Sequence, residues 1–391
     1  MRRRRALPAE QQPDWTDHPR LAPARDALAN SPALVTRDEV DTLRALLAEV
    51  AHGRYLVMQA GDCAEDPAEC AAGPVLRKAD LLDELAEAMR ARSCAPVLRV
   101  GRIAGQFAKP RSRPMERTDG KLPVYRGHLV NAPEPDALAR RPEPSRMVAC
   151  YDAAATAVAA LRLRGGGGAG APEARTWTSH EALVLDYELP LVRRSIDGRL
   201  LLTSTHWPWI GERTRQPDGA HVRLLASVDN PVSCKVGPSC SSDELVRLCA
   251  VLDPDRVPGR LTLIARMGAG TVAERLPGLV SAVRAAGHPV SWLSDPMHGN
   301  TVTGPGGLKT RGVDEIVREV VRFQDAVVAA KGVAGGLHLE ATPHAVTECV
   351  AEASGPERPG RADGTYTTLC DPRLNRRQAL DVAAAWHGRR R

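Results

Sequence analysis

Short apolar runs recur along this chain, and most are followed by a longer stretch in which apolar residues return every three or four positions. The runs are "YLVMQAG" (55–61), "PVLRVG" (96–101), "ARTWTS" (174–179), "RLLLTST" (199–205), "PVSCKVG" (231–237), "RLTLIAR" (260–266), "PVSWLSD" (289–295) and "GGLHLEA" (335–341). Their length and content suit buried strands. Helical stretches fall at about 77–92, 145–163, 242–252, 272–286 and 313–330. Another precedes the first run, at 37–51. Thr36 and Glu39 form a capping box there, Val40, Leu43, Leu47 and Val50 share a face, and Gly53 stops it. Eight strand–helix alternations predict an α/β fold, a closed (β/α)8 or TIM barrel over 54–391. Residues 1–53 read as an irregular, Pro-rich arm and a helix packed on the barrel. The third run is the weakest. The Gly-rich "GGGGAGAP" (165–172) before it reads as a flexible loop; with no Lys-Ser/Thr after it, it is not a phosphate loop.

Composition narrows the picture. Aromatics are 3% of the chain, so aliphatic packing must build the core. The net charge of +6 comes from Arg2–Arg5 and Arg389–Arg391. Without those ends the body is near neutral, and no aromatics interleave with the basic residues, which argues against nucleic acid. Nine cysteines without a CxxC pair argue against a disulfide framework or a zinc ribbon. The arginines at the start lead into no apolar segment, and no run is long enough to cross a bilayer. A cytoplasmic protein with no membrane partner is expected, as a homo-oligomer, dimer or tetramer.

Charged and reactive side chains collect where the runs end. Cys63 follows the first. Arg102 ends the second, with "KPRS" (Lys109–Ser112) beyond it. Ser179, His180 and Glu181 end the third and His206 the fourth. Lys235 lies late in the fifth and Arg266 ends the sixth. Asp295 and His298 follow the seventh, and Glu340 ends the eighth. Carboxyl ends of barrel strands are where such enzymes build their sites. In the last run alternation puts Glu340 on the same face as His338, pointing inward if Leu337 and Leu339 point outward. One set, Cys63, His298, Glu340 and Asp371, offers a thiolate, an imidazole and two carboxylates. That mixture suits Mn, Fe, Co or Zn better than Mg or Ca. The other set, Arg102, Lys109, Arg111, Arg213, Lys235 and Arg266, is cationic. Gathered at one mouth, these groups repel unless anions join them, and phosphates and carboxylates are the anions guanidinium binds in bidentate fashion. "GPSCSSDE" (237–244) adds a helix start just after Lys235.

A series of longer motifs sharpens this reading: "MQAGDCAE", "RIAGQFAKPRS", "YRGHLVN", "TSHEALVLDYE", "STHWPWIGERTRQPDGAH", "NPVSCKVGP", "IARMG", "SDPMHGNT", "GGLHLEAT", "VTEC" and "CDPRLNRRQALD". In these, and in their order from about 55 to 387, the chain resembles the type II 3-deoxy-D-arabino-heptulosonate 7-phosphate (DAHP) synthases. The resemblance implies a barrel that joins phosphoenolpyruvate to erythrose 4-phosphate with a divalent metal, manganese foremost and cobalt, iron(II) or zinc as alternatives. It implies that Cys63, His298, Glu340 and Asp371 are the metal ligands, and that Arg102 and Lys109 hold the enolpyruvate carboxylate. Arg213, Lys235 and Arg266, with the backbone near Glu212, would clamp its phosphate. Arg111 and Ser112 would take the sugar phosphate. Lys235, Glu212 and His338 are the catalytic candidates: His338, Glu212 or a metal-bound or clamp-bound water would transfer protons, with Lys235 charged and structural.

Departures from the family pattern stand out. "RGHLVNAPEP" puts His128 where an acid is usual, "EATPHAVTEC" lacks the usual Thr-Gly, and "ASGPERPG" (353–360) lacks a Gly pair. They bear on the aldehyde side of the pocket. The chain is also short between Arg102 and Arg213, where feedback-regulated members insert helices that carry aromatic amino-acid sites. The expectation is a short form, weakly or not inhibited by Phe, Tyr or Trp, serving specialised metabolism. Two alternatives remain: a synthase taking an amino or imino analogue of the sugar phosphate, and a non-catalytic barrel that binds a partner such as a chorismate mutase. Cys370 beside Asp371 is expected near Cys63, where oxidation would remove a metal ligand.

Overall fold

The computed structural model describes residues 7–116, 122–165, 172, 175–304, 307–352 and 365–388. Its elements are α1 (Leu21–Asn30), α2 (Arg37–Ala51), β1 (Leu56–Gly61), α3 (Ala72–Ser93), β2 (Val97–Arg102), α4 (Arg146–Arg164), β3 (Thr176–Glu181), α5 (Leu185–Glu188), β4 (Val192–Arg194), β5 (Leu200–Leu202), β6 (Trp207–Ile210), α6 (Ala220–Ser227), β7 (Val232–Val236), α7 (Ser242–Leu252), β8 (Leu261–Ala265), α8 (Val272–Ala285), β9 (Ser291–Ser294), β10 (Val302–Thr303), β11 (Lys309–Thr310), α9 (Val313–Ala329), β12 (Val333–Glu340) and α10 (Arg376–Ala384). Eight strands close a parallel barrel in the order β1-β2-β3-β6-β7-β8-β9-β12. Among the described residues no helix is long and apolar enough to cross a membrane.

The period of two sorts each strand. Met58, Ala60, Val232, Cys234, Leu261, Leu263, Leu337 and Leu339 face outward into the main core beneath the helices. Val57, Leu98, Val100, Trp177, Trp207, Ile264 and Leu293 form a separate cluster inside. Leu43, Leu46, Leu47 and Val50 of α2 belong to that inner cluster, so α2 closes the amino end of the barrel. Its Thr36–Glu39 capping box forms as expected. Replacing fully buried Leu43 by Ala opens that plug, at a cost of about 2–5 kcal/mol.

Three expectations need correction. Residues 21–30 of the arm are helical (α1), with Leu21, Ala24 and Leu28 buried. The fourth barrel strand is Trp207–Ile210, not 199–205. Leu200–Leu202 instead pairs antiparallel with Val192–Arg194 in an outer hairpin. The physical reason is Pro208: it brings no N–H to a ladder, so "WPWI" does not read as a central strand. Yet Trp207, Pro208 and Trp209 pair with Ser179, His180 and Glu181. His206 therefore precedes its strand and lies at the closed end of the barrel. The third strand runs two residues later than expected and includes Glu181. The arginine tails, most of the Gly-rich loop and "ASGPERPG" lie outside the described residues.

Candidate active site

At the carboxyl ends of the strands, Cys63 Sγ and carboxylate oxygens of Glu340 and Asp371 lie within 4.8 Å of one another. His298 joins them, its Nε2 3.1 Å from Glu340 Oε1. Each donor is set by its surroundings. Asp295 takes His298 Nδ1 at 2.9 and 2.8 Å. Burial lowers the pKa of this imidazole, while the charges of Asp295 and Glu340 oppose the shift; with Asp295 engaging Nδ1, Nε2 faces the cluster. Arg373 donates to Asp62, next to Cys63, at 2.7 Å and to Glu348 at 2.8 Å. Lys78 sits 2.7 Å from Asp62. One buried ion-paired brace thus ties the loop carrying Cys63 to the loop carrying Asp371.

The cluster demands positive charge. Burial alone would raise the Cys63 pKa, but a hydrogen bond from Cys370 and the charge of Lys109 hold it below 9.0. The Asp371 N–H also donates to this sulfur at 3.1 Å. Burial would likewise raise Glu340, yet His298, Lys109 and Arg311 hold it well below the usual carboxylate range. Lys109 Nζ lies 3.0 Å from Glu340 and from Asp371, and 3.4 Å from His298 Nε2. An ammonium thus stands among four donor atoms. This sulfur, nitrogen and oxygen set fits a divalent transition metal.

Beside the cluster is a cavity of about 960 Å³. Arg102 lies at its floor, 1% exposed. It donates to His338 Nε2 at 2.8 Å and Glu340 at 3.1 Å, and lies 5.4 Å over the Trp209 ring. Lys235 donates to Asp295 at 2.9 Å. Burial lowers its pKa, the charge of Arg102 adds to this, and Asp295 opposes it. Arg111, Arg213 and Arg266 line the same cavity, and among the described residues none has a carboxylate within ion-pair distance. Arg213 donates to Ser112 Oγ at 2.5 Å and Arg266 to the His298 carbonyl at 3.4 Å. Guanidinium groups gathered without carboxylate partners repel one another, and phosphate or carboxylate anions relieve that repulsion.

The eight residues expected to bind substrate line this cavity, the four expected metal ligands meet beside it, and His338 lies behind Arg102 without lining it. His338 shares its Nδ1 with Gln59 at 2.7 Å and its Nε2 with Arg102, so both nitrogens are engaged. Glu212 accepts from Arg215 at 3.0 Å and from the Gly237 N–H at 2.6 Å. His206 is not at this mouth, as noted above. His128 does not line the cavity; it lies 3.7 Å from Asp66 and against the edge of Tyr125. Cys370 and Cys63 are hydrogen-bonded thiols, as their neighbouring positions lead one to expect.

Sequence reasoning gave no role to three groups, though it had placed Glu181 at a strand end. Glu181 lines the cavity, burial raises its pKa, and its Oε1 has no hydrogen-bond partner. A Cβ at Gly211 would lie 2.0 Å from that oxygen, so glycine leaves the carboxylate its room. Its place at the end of a strand was the available signal. Arg311 donates to Glu340 at 2.7 Å from below, and no local pattern marks it. Glu319 on α9 accepts from the Met267 and Gly268 N–H groups and from Asn300, which fixes the loops of Arg266 and His298 together. Burial pushes its carboxyl up to about 7.

Comparison with known proteins agrees with this geometry. The Class-II DAHP synthetase family matches residues 1–173 and 168–386. A probable phospho-2-dehydro-3-deoxyheptonate aldolase of Pseudomonas fluorescens is 54% identical over 383 residues, covering 97% of this chain and 94% of that one. A phospho-2-dehydro-3-deoxyheptonate aldolase of Streptomyces coelicolor is 39% identical over 427 residues, covering 97% and 94%. A solved structure of phospho-2-dehydro-3-deoxyheptonate aldolase from Francisella tularensis shares the fold, with a TM-score of 0.56, 14% identity and coverage of 93% of this chain and 97% of that one. The chain belongs to the class-II DAHP synthase family, a family of transferases.

Proposed function

We propose that the protein condenses phosphoenolpyruvate with erythrose 4-phosphate to give DAHP and inorganic phosphate, the entry to the shikimate pathway, in the cytoplasm. The observation that carries this is the pairing, at one cavity, of three guanidinium groups that among the described residues lack carboxylates with a buried cysteine–imidazole–carboxylate cluster. Two anionic substrates would answer the first and a divalent metal the second. Cys63, His298, Glu340 and Asp371 would hold the metal, manganese foremost. When bound, such an ion supplies Lewis-acid polarisation of a carbonyl oxygen.

The chain's own residues do the rest. Arg102 and Lys109 hold the enolpyruvate carboxylate; Arg213, Lys235 and Arg266 hold its phosphate. Arg111 and Ser112 take the phosphate of the aldehyde. Fixing two anions that repel in water makes the encounter intramolecular, where most of the rate gain lies. A bond then forms between C3 of the enolpyruvate and the aldehyde carbon. Water adds at C2, and phosphate leaves with the C2–O bond electrons. His338 is occupied by Arg102 and Gln59, so the proton work falls to Lys235 and Glu181, which face the cavity with pKa values moved toward each other by burial.

The test is direct. Purified protein, manganese and both substrates should consume the enolpyruvate absorbance, and chelator should stop it. Turnover that survives both chelator and Cys63→Ser would end the metal assignment. Turnover with the amino analogue alone would replace erythrose 4-phosphate as substrate. One helix, α4, lies between β2 and β3 among the described residues. Phe, Tyr and Trp should therefore leave the rate unchanged, which fits a specialised pathway; inhibition by any of them at millimolar concentration argues against the short-form reading. Peroxide should join Cys63 to Cys370, removing two thiols and the activity together; activity that persists after both thiols are lost defeats this switch.

A further inference from the structure

The amino-terminal arm reaches the active site. Residues 11–13 lie between the surface and the rim of the cavity, with Pro13 buried and Gln11 and Gln12 half-buried. Gln12 is pinned to the segment after β3: its Oε1 accepts from the Leu185 N–H at 2.9 Å and its Nε2 donates to the Leu183 carbonyl at 2.8 Å. Trp15, buried, donates to Asp186 at 2.7 Å. The Pro8 carbonyl accepts from the Ala220 N–H at 2.8 Å. Between these anchors Gln11 adopts a φ of 60°, a left-handed conformation that side-chain-bearing residues rarely take. Such strain persists where the surroundings over-determine it, and it invites a search for function.

That conformation aims Gln11 at one target. Its side-chain Oε1 accepts from the backbone N–H of Arg111 at 2.9 Å. Arg126 closes the other side. Its guanidinium donates to the Gln11 and Gln12 carbonyls, and its own carbonyl accepts from the Lys109 N–H at 2.9 Å. Gly127 permits this approach, since a Cβ there would lie 2.1 Å from the Phe107 carbonyl. Pro110 has no N–H. The Lys109–Pro110–Arg111 segment thus has two amide donors, one held by the Arg126 loop and the other by the arm. Beyond it Ser112, Arg113 and Pro114 are exposed.

We propose that Gln11 is a positioning residue for the aldose phosphate: it fixes the backbone of Arg111 so that this guanidinium and Ser112 meet the phosphate of the aldehyde substrate. Gln11 itself touches no substrate. The claim rests on the reading of Arg111 given under Proposed function, and it makes the arm a determinant of affinity for one substrate and not the other. Of the enolpyruvate contacts, Arg102, Lys235 and Arg266 come from the barrel strands or their ends. Lys109 shares the segment, but its amide is held by the Arg126 carbonyl and its ammonium by Glu340 and Asp371, bonds that do not involve the Gln11 side chain.

Two readouts on the full chain test this. Gln11→Ala should raise the KM for erythrose 4-phosphate about fivefold, the value of one lost neutral hydrogen bond, and leave the KM for phosphoenolpyruvate within about twofold. Gln11→Glu keeps an acceptor oxygen and should restore most of the affinity. By hydrogen exchange, the Arg111 amide should be protected in the wild type, lose protection in Gln11→Ala and regain it in Gln11→Glu. Equal rises in both KM values, no rise in either, or unchanged Arg111 exchange overturns the proposal. Should the wild type fail to turn over the two substrates, the reaction assigned above falls. The arm's hold on the Arg111 backbone is then decided by exchange alone.

Discussion

The two ends of the barrel carry similar residues and do opposite things with them. At the closed end, Glu39, Arg162 and His206 meet beside a hollow of about 180 Å³. Arg162 donates to both Glu39 oxygens, at 2.9 and 2.7 Å, and to the Leu34 carbonyl at 2.7 Å. His206 Nδ1 receives the Thr178 N–H at 3.1 Å, and its Nε2 lies 3.7 Å from Glu39. Arg162 thus answers Glu39 in an ion pair, and Arg175, which lines the same hollow, lies 6.0 Å over the Trp177 ring. At the open end Glu340 is met by Arg102, Lys109 and Arg311, while Arg111, Arg213 and Arg266 face the cavity, among the described residues without a carboxylate partner. Balanced charge closes a fold; charge left unbalanced toward a cavity selects what enters it.

The comparison breaks most readily at Glu340. Glu340→Gln leaves Arg102, Arg311 and Lys109 facing a neutral amide, and removes a donor from the cluster. Turnover should fall about 10³-fold, the scale of losing a central electrostatic contact, and manganese should bind more weakly by calorimetry. An enzyme that keeps a tenth of its rate would show that Glu340 serves the fold instead. Arg266→Ala should act on one substrate: a rise of about 30-fold in the KM for phosphoenolpyruvate, as for a charged hydrogen bond, with no change in thermal midpoint beyond about 3 °C. At the other end His206→Ala should lower the thermal midpoint while changing kcat less than about twofold. A larger kcat effect there would blur the distinction between the two ends.

Much of the open end was legible because one rule, alternation along a strand, fixes it. Once the barrel is inferred, Arg102, Lys235, Arg266, His338 and Glu340 must point inward near the carboxyl ends. The metal donors were legible only through their motifs, since Cys63 and Asp371 lie 308 residues apart in sequence yet share a hydrogen bond. What could not be read is what depends on partners brought in from far away. Gln11 meets Arg111 across 100 positions, and Arg311 meets Glu340 from a loop with no pattern of its own. The fourth strand was lost for a local reason, since Pro208 disguises it. His206 then moved with that strand from one end of the barrel to the other.

The smallest effect is also the cleanest test of the closed end. Burial alone would raise the pKa of Glu39, but hydrogen bonds from His206 and Arg162 and from the Thr36 N–H hold it well below its ordinary 4.5. A carboxyl whose pKa is depressed by folding adds stability that is present above the unfolded value and is lost as pH falls toward the folded one. Glu39→Gln should therefore be less stable than wild type by about 2 kcal/mol at pH 7, measured by urea unfolding. The gap should shrink as the pH drops below about 4.5, where the unfolded wild-type chain takes up the proton and the folded one resists. His206 is coupled to Glu39: burial lowers its pKa and Glu39 opposes that shift, so the same series in a His206→Ala background separates the two groups. A gap that stays constant from pH 7 to pH 4 would mean that the variant loses packing around the α2 plug and not a charged hydrogen bond. The closed end would then owe its stability to Leu43, Leu47 and Trp177 alone.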